Sequence, residues 1–233
     1  MKKDTLDYPF YFKVLKQSPL FSNTSDKLLH TILSMFYVET WSKGQLSFHG
    51  EKTLYKFYFV ISGRIKMYQI NPENGNEYTL YINSTGDAFD IICLLDSKKH
   101  EIEMEALDDV ILLAAPIDIV REWIKNHPQI NNTILPYMVD RLREMEEKVT
   151  DLALFDTWRR TLKLFIKHTG ENIHSSELKL INKLPQNEVA KIIGTSKNVI
   201  NKHIQKLKDE NIIAINRNNI VVKDLHALIS KLK

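Results

Sequence analysis

With 233 residues, 43% hydrophobic and 26% charged, the chain has the proportions of a soluble globular protein of one or two folding units, and global disorder is excluded. The longest apolar runs, such as Val110 to Ile117, fall far short of the roughly 20 residues a membrane helix needs, and the opening MKKDTLDYPF lacks the apolar stretch of a signal peptide, so a cytoplasmic protein is expected. The one cysteine, Cys93, excludes an internal disulfide and a site built from several thiolates, which fits a reducing compartment.

The net charge of +3 hides an asymmetry. Residues 157–233 hold 15 Lys+Arg and 6 Asp+Glu, a balance of +9, whereas the remainder holds 17 and 23, a balance of −6. A basic carboxyl-terminal part on an acidic amino-terminal part points to a polyanionic partner for the former, with nucleic acid first in line. A merely solvated lysine-rich surface would share the same composition.

In chain order, a helical segment around residues 24–36 precedes a region punctuated by Gly44, Gly50, Gly63, Gly75 and Gly86. Between these lie short β-rich stretches at 45–49, 54–61, 64–70 and 78–82, with turn chemistry at Asn71-Pro72-Glu73-Asn74-Gly75, and two more strands at 101–107 and 110–115. That is the pattern of an all-β sandwich or barrel. Residues 128–156 contain no glycine, and Leu135, Met138, Leu142, Met145, Val149 and Leu152 step by 3 or 4, the seam spacing of a helix paired with another helix. A parallel homodimer follows from this reading; a helix packed on its own domain would use the same stripe, and Pro136 is expected to kink or start the helix. Asp156 has the chemistry of the next helix cap, and Phe155, Asp156 and Arg160 mark a hinge, the last two spaced as an i, i+4 pair.

Residues 185–209 read PQNEVAKIIGTSKNVINKHIQKLKD. Val189, Ile192 and Ile193 make one short apolar face and Ile200, Ile204 and Leu207 a second, with Gly194-Thr195-Ser196 as the turn and Ala190 small enough for close helix approach: a helix-turn-helix. Ser196 caps the second helix, whose outer stripe presents Lys197, Asn198, Asn201, Lys202 and Gln205, with Gln186 and Thr195 beside it. Asn and Gln bond adenine through two atoms and Lys reaches guanine acceptors or phosphate, so this stripe carries the groups a major groove matches. An ordinary polar helix face is the competing description, and the +9 domain weighs against it. A β-hairpin at 212–216 and 220–222 adds a wing with Arg217 at its tip for phosphate.

This order of parts resembles the Crp/Fnr family of bacterial transcription regulators over nearly the whole chain. The segments that carry the resemblance are SKGQLSFHGEK (42–52), YFVISGRIKMY (58–68), NGNEYTLYINSTGDAF (74–89), LALFDTWRRTL (152–162) and LPQNEVAKIIGTSKNVINKHIQKLK (184–208). The resemblance implies an α+β fold: a cyclic-nucleotide-binding-like β-roll (a double-stranded β-helix of jelly-roll type) over 1–127, a dimerisation helix and hinge over 128–156, and a winged helix-turn-helix over 157–233. It implies a homodimer on duplex DNA, RNA polymerase as a partner, no catalytic role, no metal and no resident cofactor.

Four departures qualify it. Cyclic-AMP-binding members carry a ribose-binding glutamate and a phosphate-binding arginine followed by Ser or Thr; here those positions are Ile91, Glu101 and Ile102, and the adenine-contacting pair of the long helix falls on Met145 and Glu146. A carboxylate in place of the arginine repels phosphate, so cyclic AMP is not the expected effector. The amino end lacks the cysteines of cluster-bearing members. The recognition helix has Lys197, Asn198 and Lys202 where Arg, Glu and Arg are usual, so the operator should differ, and His203 stands at a usually aliphatic position. An unidentified effector would lie near Phe89, Ile91, Cys93, Glu101, Met138, Leu142 and Met145. Cys93 reads as a small hydrophobe more readily than as a redox thiol, and His49, His100 and His127 lack a haem-binding spacing. A constitutive regulator with a vestigial sensor stays open, as do two rivals: a barrel enzyme, which lacks any Ser-His-Asp, Glu-x-x-His or Gly-rich signature here, and a scaffold with an RNA-binding tail.

Overall fold

The computed structural model describes residues 7–21, 23–47, 51–169, 176–178, 180–216 and 219–232. It divides into two compact units, residues 1–69 with 81–143, and residues 70–80 with 144–233.

The amino-terminal unit starts with helices α1 (Tyr8–Gln17) and α2 (Asp26–Met35). Ser25 caps α2 by accepting from the Leu28 amide, and α2 buries Leu29, Ile32 and Leu33 on one face. There follow β1 (Tyr37–Trp41), β2 (Leu46–Ser47), α3 (Glu51–Tyr55), β3 (Lys56–Ser62), β4 (Ile65–Ile70), β5 (Glu77–Asn83), β6 (Ala88–Phe89), α4 (Ile91–Asp96), β7 (Glu103–Ala106) and β8 (Val110–Pro116). Helix α5 (Ile117–Asn126), a single 3₁₀ turn over Pro128–Ile130 and the long α6 (Asn131–Leu154) come next. The strands form two four-stranded sheets, ordered β1-β8-β3-β6 and β2-β7-β4-β5.

Alternation along β3 and β8 separates two environments. Phe57, Phe59 and Ile61 of β3, with Leu113 and Ala115 of β8, join a core shared with Leu15, Leu29, Leu33, Val120 and Ile134 of the helices. The opposite face carries Trp41, Tyr58 and Phe89, all buried, with Tyr58 and Phe89 stacked at 5.0 Å and 6°. The turn between β3 and β4 depends on Gly63: its φ is +85°, and a Cβ there would stand 2.6 Å from the Asp109 carbonyl oxygen.

The carboxyl-terminal unit contains α7 (Thr157–His168), β9 (Ser176–Glu177), α8 (Gln186–Ile193), α9 (Lys197–Asp209), β10 (Ile213–Asn216), β11 (Asn219–Val222) and α10 (Leu225–Ser230). β10, β11 and β9 form a three-stranded antiparallel sheet, with Ile213 opposite Val222 and Asn216 opposite Asn219. Leu162 and Phe165 of α7 are fully buried, and Val189 and Ile193 of α8 and Ile200 and Ile204 of α9 are buried as well. Asp156 caps α7, its carboxylate accepting from the Arg159 amide at 2.8 Å.

Differences from the sequence reading are local. The strand expected over 54–61 begins two residues later, because residues 51–55 close a helical turn first. The short β1 and β6, and helices α1, α4 and α10, carry too few periodic residues to stand out in the sequence. Pro136 lies inside α6, which begins five residues before it, so the proline neither starts the helix nor ends it. Its ring sits on the exposed side, where a missing amide donor is tolerated.

Truncating Phe59, which is fully buried and 5.7 Å from the Phe21 ring, should leave a cavity between β3 and the helices. Phe59→Ala is expected to lose about 3–5 kcal/mol in urea denaturation, and a loss below about 1 kcal/mol would contradict the assigned core.

Candidate nucleic-acid interface

Helices α8 and α9 are joined by Gly194-Thr195-Ser196. Gly194 ends α8 at φ +72°, a left-handed conformation, and its amide donates to the Ala190 carbonyl. Ala190 is buried between the helices with Val189, Ile193, Ile200, Ile204 and Leu207. Ser196 then caps α9 by accepting from the Val199 amide.

With the apolar stripe of α9 turned inward, Lys197, Asn198, Lys202 and Gln205 are exposed along its outer side. Asn201 is half-buried, and its Oδ1 is buried without a hydrogen-bond partner. Gln205 donates from Nε2 to Asp209 at 2.6 Å, so this side chain is already engaged by its own helix. Ser196 is exposed, while Thr195 and Gln186 are half-buried, the latter in the first turn of α8. Arg217 lies outside the described residues, as does His49. The charge on this surface is cationic: Lys197, Lys202 and Lys208 are exposed, and Lys206 rests its ammonium 4.5 Å from the Trp158 ring.

The seam residues sit on one side of α6. Leu135 and Leu142 are each 61% exposed, Val149 60% and Leu152 41%, while Met138 and Met145 are half-buried. Val139 and Leu154, which the heptad reading leaves out, are exposed as well. At the hinge, Phe155 has the Arg159 guanidinium 5.6 Å and the Lys163 ammonium 5.1 Å from its ring. Asp156 forms no ion pair with Arg160; its carboxylate is turned to the helix end, where a cap partner is closer than a side chain one turn on.

The residues suggested for an effector separate into different surroundings. Ile91 and Cys93 lie on α4 in the helical core, with Met138 packed against the same core. Phe89 faces the other side of its sheet with Tyr58, and Leu142 is on the exposed stripe. Met145 belongs to the carboxyl-terminal unit. Glu101 precedes β7 with its side chain 80% exposed, 3.8 Å from Lys99. Burial pushes the Cys93 thiol above its ordinary pKa, and Asp90 adds to the shift, so the reactive thiolate is disfavoured.

A polar cluster that sequence reasoning missed sits beside α4. Asp90 is buried in a left-handed conformation (φ 58°); its carboxylate accepts from the Thr53 hydroxyl and meets His100 Nδ1 at 2.8 Å. That hydrogen bond raises the His100 pKa. His127 is also engaged, its Nδ1 2.8 Å from the Trp123 carbonyl and its ring stacked on Trp123.

Comparison with known proteins agrees with this architecture. Residues 38–127 match a cyclic nucleotide-binding domain and residues 160–230 a Crp-like helix-turn-helix domain. The chain is 21% identical over 219 residues to a CRP-like cAMP-activated global transcriptional regulator of Mycobacterium tuberculosis, covering 93% of this chain and 97% of that protein. It is 24% identical over 195 residues to a global nitrogen regulator of Synechocystis, covering 82% and 86% respectively. Among solved structures, a CooA mutant from Carboxydothermus hydrogenoformans superposes with a TM-score of 0.71 at 20% identity, covering 87% of this chain and 90% of that one. FixK2 from Bradyrhizobium japonicum gives 0.72 at 14%, covering 84% and 96%. These superpositions establish the fold.

The packing of α7 against α9 explains the unusual His203. Its Nδ1 lies 3.0 Å from the Thr161 hydroxyl and its ring meets Trp158 edge-on at 5.3 Å, so an imidazole fits where an aliphatic side chain would leave Thr161 without that partner. Burial lowers the His203 pKa. A histidine kept neutral in the fold but free to protonate when unfolded contributes stability present above about pH 6.5 and lost as pH falls below it. The melting temperature of the protein is therefore expected to drop between about pH 7 and pH 5, and His203→Gln to drop less. Equal drops in the two proteins would contradict the assignment.

Proposed function

The chain belongs to the Crp/Fnr family of DNA-binding transcription regulators and carries that family's cyclic nucleotide-binding domain; on this premise we propose that it acts as a homodimer on an inverted-repeat operator, controlled by something other than cyclic AMP. The observation that carries the reading is the outward stripe of Lys197, Asn198 and Lys202 on a helix whose opposite side is fully buried. Such a helix can enter the major groove with its amino-terminal half on base edges. Asn198 supplies the paired donor and acceptor that adenine matches, and the lysines supply guanine or phosphate contacts.

Dimerisation follows from the exposed apolar stripe of α6. Leu135, Leu142, Val149 and Leu152, 41–61% exposed, would each contribute about 1 kcal/mol on burial against their counterparts. Two parallel copies of α6 place two reading helices about 34 Å apart, one turn of duplex, and so select a palindrome. RNA polymerase is the further partner this role entails, and the chain's own work is binding, not chemistry. No helix among the described residues is long and apolar enough to cross a membrane, which suits a partner in solution.

Against cyclic AMP stand Ile91, whose buried apolar side chain offers a ribose no acceptor, and Glu101, whose carboxylate would repel a phosphate. A second reading, a regulator that needs no effector, is favoured by direct ties from α6 to the Gly86-Asp87 turn. Arg141 pairs with Asp87 at 2.5 Å and Tyr137 donates to the Ala88 carbonyl at 3.1 Å, so side chains already bridge cassette and helix.

Three outcomes are expected. Asn198→Ala with Lys202→Ala should abolish preference for a duplex selected by the wild-type protein while leaving its circular dichroism unchanged; retained preference would overturn the reading face. Leu142→Asp with Val149→Asp should give a monomer in analytical ultracentrifugation, against a dimer for wild type, and a surviving dimer would refute the seam. Calorimetric titration with cyclic AMP should give no heat of binding, and saturable heat at micromolar ligand would show that the pocket accepts the nucleotide.

A further inference from the structure

The tip of the hairpin formed by β4 and β5 belongs to the same compact unit as the helix-turn-helix, since residues 70–80 group with 144–233. Three of its residues grip that unit in succession. Glu77 Oε2 lies 2.6 Å from Lys191 Nζ on α8. The Tyr78 ring lies against Gly194, 3.3 Å from where a Cβ would stand, with Leu152 Cδ2 at the same distance. The Leu80 carbonyl accepts from Lys148 Nζ of α6. Strand β5 then continues by covalent connection into its four-stranded sheet.

Lys191 is on the first helix of the helix-turn-helix, the one that crosses the sugar-phosphate backbone when such motifs dock. A lysine contributes to duplex affinity by neutralising a phosphate and releasing its counterion, so a lysine already neutralised by protein carboxylates contributes little. Here Lys191 is held by Glu77 and, at 2.8 Å, by Glu188, and its side chain keeps only 21% of its exposure. The two carboxylates differ in kind. Glu188 is on the same helix, three residues away, and accompanies Lys191 in every state. Glu77 comes from outside the helix-turn-helix, so this contact can be made or broken with the hairpin. The Tyr78 contact at Gly194 fixes where Glu77 sits, because the glycine leaves the ring room that any side chain would take.

We propose that Glu77 is an internal anion that competes with DNA phosphate for Lys191, making the hairpin tip a restraint on the reading head. The proposal rests on the DNA-binding reading and adds the regulation of that interface. Release of the hairpin leaves Lys191 with one carboxylate partner in place of two and so opens it to phosphate; its seating closes that access.

The test is fluorescence anisotropy of the full-length protein on a labelled mixed-sequence duplex across a salt series, because a phosphate contact is independent of sequence. Glu77→Gln, nearly isosteric, should tighten binding roughly twofold or more at about 0.1 M salt and steepen the slope of log K against log salt by up to about 0.9, the value for one fully released lysine. Lys191→Gln alone should leave both nearly unchanged, and the double variant should lose the gain. Glu77→Ala should behave as Glu77→Gln, and matching thermal melts would keep a folding defect from mimicking either result. Unchanged or weaker binding by both Glu77 variants, with wild type still bound to duplex, would overturn the restraint and leave the DNA-binding reading standing. Failure of wild type and both Glu77 variants to bind any duplex would overturn both.

Discussion

The constraint on which the rest of this structure depends is the apolar stripe of α6 left in water. A 24-residue helix in a globular protein ordinarily turns its hydrophobic face to a core. Here Thr133, Ile134 and Tyr137 serve that purpose near the start of α6, while Leu135, Leu142, Val149 and Leu152 point elsewhere. A monomer with this stripe exposed carries an aggregation liability, and a parallel second copy removes it with the side chains that create it. In the proposed dimer that pairing would present two reading helices, and two readers would select a palindromic site.

Much of the fold was legible in the sequence because it depends on periodicity and a few conformationally demanding residues. The 3, 4 spacing from Leu135 to Leu152 marked α6; Gly194, Ala190 and Ser196 marked the turn, the close approach and the cap of the helix-turn-helix. Expected strand positions at 64–70, 78–82 and 110–115 fall on β4, β5 and β8 because turn residues bound them. What the sequence concealed depends on long-range packing. Nothing local announces that Asp90 meets Thr53 and His100, or that Glu77 reaches Lys191 more than a hundred residues away. Likewise Phe89 and Ile91, two positions apart, fall on opposite sides because a strand ends and a helix begins between them.

The cyclic nucleotide-binding domain carries a set of polar contacts of its own. Its charges are satisfied internally, Asp90 by His100 and Thr53 and Asp87 by Arg141. A buried charge left without such a partner is costly, so these contacts are part of what holds the cassette in place.

The central claim, that two copies joined along α6 present two reading helices to one side of a duplex, is tested most directly by hydroxyl-radical footprinting on a duplex selected by the protein. Two protected segments on the same face, centred about one helical turn or 34 Å apart, are the expected result. A single protected segment, or two whose separation is not a whole number of turns, would contradict it.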